Sequence, residues 1–269
     1  MFDSFVTKGR LDEQKRFLTM LLLVVLFVST SVSASSSING HSVSHTGVLK
    51  VSIHPVFKDA PLQLNTQKYV DIHGDTLIIE VFKTYVGNLT LVDASGEVSG
   101  EKNKYHLVDI DKATTQTFFI PKLNEGKYST LGLLIGVDSL ANVSGAMDGD
   151  LDPSIGMYWA WNSGYIMAKL EGRSNVCSTL HHTFEFHIGG YIAPYAAYRT
   201  VILKPGNEIN IVADDTTEVV LTVDAATWLD SKHVVDLSKT NNIVVPGKDA
   251  CDMAENYASM FAIKQVFNP

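Results

Sequence analysis

Sulfur pairs, basic clusters and long apolar runs are all scarce in this chain of 269 residues, and each shortage removes a class of function. With only two cysteines, a disulfide-dense scaffold is excluded, and neither cysteine belongs to a CxxC pair. Lys and Arg total 21 against 29 Asp and Glu, a net charge of −8. An acidic surface without basic clusters argues against nucleic acid or anionic lipid as a partner. The one pronounced apolar run, Leu18–Val28, falls short of the ~20 residues a membrane span needs. Catalytic signatures are missing as well: there is no G-x-S-x-G elbow, no phosphate-cradling glycine loop and no H-E-x-x-H. The expectation is a binding protein, not an enzyme.

What is present begins with an export signal. Lys15 and Arg16 precede the apolar run, and Val32-Ser33-Ala34 closes it with a small-x-small end, the pattern of a secretory signal peptide over residues 1–34. An uncleaved anchor is the alternative. Residues 35–47 then read as a flexible leader and 48–269 as the working domain, periplasmic or secreted and free of the membrane after cleavage. Cys177 and Cys251 both fall in the exported part. In an oxidising compartment the simplest reading is one disulfide between them, with a soft metal held by the thiols as the alternative.

From Val48 onward the chain is a succession of short alternating runs divided by Gly, Pro, Asn and Asp. The runs 48–57, 76–86, 88–93, 126–137, 157–161, 165–171, 183–188 and 217–224 are representative, and 45% hydrophobic residues supply a core. Many short strands at this spacing predict a mostly β fold, a single antiparallel β-sandwich. Helical periodicity is confined to Asp249–Phe261, where Ala250, Met253, Ala254, Tyr257 and Phe261 share a stripe. One short C-terminal helix is therefore expected.

Three stretches carry candidate chemistry. In F-E-F-H-I-G-G (Phe184–Gly190), alternation sets His187 opposite the apolar face, beside paired glycines that admit a close neighbour. In V-S-I-H-P-V-F (Val51–Phe57), His54 lies opposite Ile53. In D-G-D-L-D-P, Asp148, Asp150 and Asp152 stand at alternate positions like the opening of a calcium loop. The loop's glycine and closing glutamate are replaced by Pro153 and Trp159. An acidic turn is the plainer reading there, with a structural Ca²⁺ as the alternative. Following that turn, Met157, Trp159 and Trp161 recur at a spacing of two, so a strand would set them on one face. A thioether and imidazoles suit a soft or borderline cation such as Cu(I), whereas tryptophan pairs also serve as core or as carbohydrate platforms.

The block G-x-L-D-P-x-x-G-M-Y-W-x-W-x-S-G-Y-I-x-x-K-L-E-G, found here at Gly149–Gly172, resembles the hallmark of the MbnP-like family of exported copper-binding proteins. L-I-G-V-D (Leu134–Asp138), F-H-I-G-G and Pro61-Leu62 fit the same family, and the resemblance runs from about Val48 to Phe261. It implies a β-sandwich holding one copper ion, expected as Cu(I), through histidine. It also implies oxidation of one tryptophan of the W-x-W motif to kynurenine by a partner dihaem enzyme of the MauG type. Carried over by position, the metal residues are His187, His54 and Trp159, with Trp161 and Met157 supporting the site. The competing expectation is a calcium-dependent carbohydrate-binding module. In that case Trp159, Trp161 and Tyr158 would stack on sugar, both tryptophans would be exposed, and Asp148, Asp150 and Asp152 would gather around Ca²⁺.

Overall fold

The computed structural model describes residues 45–269. The expected signal peptide and nearly all of the expected leader lie outside these residues, but the last positions assigned to the leader, Thr46 and Gly47, already belong to the first strand, Thr46–Phe57. This strand has Leu49, Val51 and Ile53 buried and His54 exposed on the opposite face.

Two sheets enclose the core. In the smaller, Thr46–Phe57 lies beside Thr216–Asp224, which is flanked by Phe261–Phe267; the N-terminal half of Thr46–Phe57 also pairs with Thr117–Asn124. In the larger, the path runs through Arg199–Leu203, Gly126–Ile135, Thr76–Asp93, Gly164–Ser174 and Thr183–Gly189, ending on Asn242–Ile243. The mostly β sandwich expected from alternation is what the chain forms. The pairing departs from purely antiparallel in two places: Val48–Val56 runs parallel to Thr216–Asp224, and Glu185–Phe186 parallel to Asn242–Ile243. Parallel neighbours need a long crossover, and here most of the larger sheet is inserted between the two strands of the first pair.

Trp228 anchors the interior. It is fully buried, edge-on to Phe82 at 6.0 Å and tilted against Tyr257 at 5.2 Å. Tyr257 closes the C-terminal helix Lys248–Tyr257, whose buried residues include Ala250, Met253, Ala254 and Tyr257, as the periodicity predicts. The helix stops before Phe261, which instead opens a strand that pairs with Thr216–Asp224. A register shift between Val220 and Leu221 moves the covered positions of that strand from Phe261 and Ile263 to Val266, which hides its alternation from a fixed period of two. A bulge likewise explains why 76–86 and 88–93 read as separate runs. They are one strand, Thr76–Asp93, whose register shifts between Gly87 and Thr90.

The expected disulfide is absent: both cysteines are free. Cys177 lies in the turn that leads into Thr183–Gly189, with its carbonyl at 2.9 Å from His182 Nδ1. Cys251, on the helix, has its sulfur beside the Pro194 and Ala196 carbonyls, past the far end of that same strand. Seven strand residues span roughly 20 Å, whereas a disulfide requires Cα atoms within about 7 Å. Burial also pushes the Cys177 thiol pKa up, keeping it protonated and unreactive.

Candidate functional site

His187 stands on the outer face of Thr183–Gly189 because Phe184, Phe186 and Ile188 take the core side. Opposite it in register is Lys169, on Gly164–Ser174, and opposite Lys169 is Lys83, on Thr76–Asp93. Lys83 in turn meets Asp109, 2.9 Å away. His187 thus ends a polar row that crosses four strands. Its Nε2 lies 2.7 Å from Oε1 of Glu171, and Lys169 Nζ is 3.7 Å from the same oxygen while donating to the Gly156 carbonyl at 2.9 Å.

The charge state of this triad follows from its contacts. The hydrogen bond from His187, with help from Lys169, holds the Glu171 carboxyl below its usual range, so Glu171 is ionised near neutrality. An ionised carboxylate only accepts, so the proton between them belongs to His187 Nε2. In a neutral ring the free lone pair is then on Nδ1. Desolvation lowers the Lys169 pKa, which is why Glu171 and the Gly156 carbonyl are needed to hold its ammonium.

Trp159 reaches the same face two residues along the strand. Its indole packs against Gly189, where an added Cβ would come within 2.5 Å of Cζ3 and 2.8 Å of Cη2. The ring of Tyr191 covers Gly164 in the same manner, 3.1 Å from where a Cβ would stand. Each glycine is therefore the seat of an aromatic ring from the neighbouring segment. Gly190 has a different reason to be glycine: its φ is +122°, and a side chain would meet the Tyr195 carbonyl.

The expected strand 157–161 is shorter in the structure. Only Tyr158–Trp159 pairs, with Gly164 and Tyr165. Ala160–Ser163 forms a turn, with Asn162 N donating to the Trp159 carbonyl and Ser163 at φ +48°. Trp161 sits on that turn, 64% exposed, while Trp159 is 6% exposed. The indoles still touch, with centroids 5.3 Å apart at 38°. Met157 is completely buried in the core and presents no sulfur to the outer face.

The other expected residues are not brought to His187. His54 belongs to the other sheet and projects away from the core, level with Thr222. Its face is organised by Glu218, which accepts from Ser52 Oγ at 2.6 Å and pairs with Lys50 at 3.1 Å. Those contacts lower the Glu218 pKa below its ordinary 4.5. A depressed carboxylate stabilises the fold fully above that ordinary value and loses the contribution as pH falls through the folded value. Glu218→Gln is accordingly expected to flatten part of the acid limb of a stability–pH curve below about pH 4.5, as read by denaturant titration. His181 and His182 are exposed, with positive φ, at the other end of the His187 strand. Nor do the three aspartates converge: Asp150 accepts from Leu107 N at 3.0 Å and Asp152 from Ser154 N at 2.8 Å, while Asp148 is exposed. Burial of Trp159 leaves only Trp161 exposed, which removes the two-tryptophan platform that the carbohydrate reading requires.

Glu171 and Lys169 escaped the sequence reading as site residues, although alternation places both on the His187 face. The arrangement defines a class, a β-sandwich with one histidine, backed by a carboxylate, beside a glycine-seated indole. The MbnP family model matches residues 46–247, and the chain belongs to that family. Among solved structures, MbnP from Methylosinus trichosporium is similar, at 17% identity over 72% of this chain and 80% of that one, with a TM-score of 0.48. No curated protein matches. Among the described residues, no helix is long and apolar enough to cross a membrane.

Proposed function

We propose that the protein is an exported copper-binding protein that holds one copper ion at the His187 face and acts by binding, without turnover. The observation that carries this reading is the His187–Glu171 pair beside Trp159. A metal-ligating histidine usually has its other nitrogen held by a carboxylate, which fixes its tautomer and orientation, and imidazole with few hard oxygens suits copper. Family membership supports the same choice. The donor set differs from one built on two histidines, since His54 faces away on the other sheet; His187 is the imidazole anchor, with donors from the Trp159–Trp161 turn completing it. Trp161, solvent-exposed and in contact with Trp159, is the indole that a partner oxidising enzyme of the dihaem type can reach, and peptide mass spectrometry of protein from its native source would locate any kynurenine there.

The direct test is an anaerobic Cu(I) titration against a chromophoric competitor. Saturation at one copper per chain is the expected result. A protein that removes no copper from the competitor, both as isolated from its native source and as made without partner enzymes, would refute the copper reading.

A further inference from the structure

The C-terminal helix and the loop after Trp228 hold a second set of metal-capable side chains. His233, Asp252 and Glu255 each offer a ligand atom, and all three atoms lie within 4.8 Å of one another. Among the described residues no other group of three His, Cys, Asp or Glu side chains converges in this way. Asp252 and Glu255 are one turn apart on Lys248–Tyr257, so they project from one side of the helix. His233 arrives from the loop after Trp228, and that loop is fixed. Asn256, entirely buried, accepts from the His233 N–H at 2.7 Å and donates to the carbonyls of His233 at 2.7 Å and Trp228 at 2.9 Å.

This cluster borders an open cleft of about 320 Å³, whose lining adds Asp236, Asp249 and Met253 to His233 and Asp252. A small hydrated cation therefore has a way in. At present Glu255 Oε2 is 2.6 Å from His233 Nε2 and 2.8 Å from Lys232 Nζ, and Lys248 pairs with Asp252. Both lysines are mostly exposed, at 63% and 76%, and exposed ion pairs of this kind hold weakly. A divalent ion can displace both ammonium groups into solvent without disturbing the core. Ligand atoms that already lie within 4.8 Å of one another can reach the ~3.4 Å edge of a tetrahedron with ~2.1 Å bonds by side-chain rotation.

We propose that His233, Asp252 and Glu255 form a second metal site, for a borderline divalent cation of the zinc class, separate from the His187 face. One imidazole and two carboxylates leave a coordination position for water from the cleft, and no sulfur takes part, since Cys251 turns to the Pro194 and Ala196 carbonyls. The family match ends at residue 247, so Asp252 and Glu255 belong to a part of this chain that it does not cover. The inference does not depend on the copper reading.

Zn²⁺ titration of the purified protein against a chelating indicator tests it. One tight equivalent is expected, weakened on the order of tenfold or more in Glu255→Gln and in Asp252→Asn, since even partners outside the first coordination shell are worth that much. Lys232→Met should tighten binding by removing the competing ammonium. His187→Ala should leave the zinc isotherm unchanged, whatever it does to copper. Both carboxylate variants replace partly exposed side chains, so a matching thermal melt will show that they fold. Absence of zinc binding, an isotherm unmoved by Glu255→Gln and Asp252→Asn, or loss of the site in His187→Ala would each overturn the proposal.

Discussion

Replacing His187 with alanine is expected to abolish one-to-one copper binding, and replacing Glu171 with alanine to weaken it by about 10- to 100-fold. The two effects have different origins. His187→Ala removes the imidazole itself, and with it the single histidine that, among the described residues, stands on this face of the larger sheet. Glu171→Ala leaves the imidazole in place but frees its Nε2, now 2.7 Å from the carboxylate. The ring then loses its fixed tautomer and orientation, and Nδ1 becomes a poorer donor. Glu171→Gln discriminates further: its amide oxygen still accepts from Nε2 without the negative charge, so its affinity should fall between wild type and Glu171→Ala. A competitor titration of the four proteins gives the order. Equal affinity in wild type and Glu171→Ala would show that the pair is only a surface ion pair, of little worth.

How far the sequence could lead depends on which physical signal each element carries. Strands with one buried face, such as Thr183–Gly189, are legible because Phe184, Phe186 and Ile188 alternate with polar residues. The helix is legible because Ala250, Met253, Ala254 and Tyr257 follow a period of 3.6. What escaped notice lies where that period breaks. The register shift at Val220–Leu221 masked the last strand. The turn at Ala160–Ser163 took Trp161 off the face that it was expected to share with Met157.

The site shows the same division. Alternation correctly turned His187 outward, yet alternation cannot say what lies opposite on the neighbouring strand. Lys169 and Glu171 became part of the site only through the register of Gly164–Ser174. The cysteine pairing failed because the two residues lie past opposite ends of Thr183–Gly189, and His54 does not join the site because its strand belongs to the other sheet and turns it away from the core. Asp252 and Glu255 stand three apart on the helix, but the loop that carries His233 to them is a tertiary fact set by Asn256.

Gly189→Ala is expected to lower stability by about 1–3 kcal/mol, the usual consequence of forcing extra volume into a packed position. For a domain of this size that is a fall in melting temperature of about 2–4 °C per kcal/mol. The new methyl group would stand 2.5 Å from Trp159 Cζ3 and 3.0 Å from the Tyr165 carbonyl. The backbone carbonyl belongs to a strand held by its ladder, so the indole is what must give way. Trp159 should swing outward toward Trp161, changing the fluorescence of both rings and drawing its own edge into solvent. Removing those two ring atoms relieves the clash, so Gly189→Ala should cost less in a Trp159→Phe background than alone, a coupling that a double-mutant cycle measures. Strict additivity would mean that the glycine serves the backbone and not the indole. Coupling would also tie the two stability variants to function: if the outward swing of Trp159 disturbs the His187 face, Gly189→Ala must lose copper affinity even though it touches no ligand.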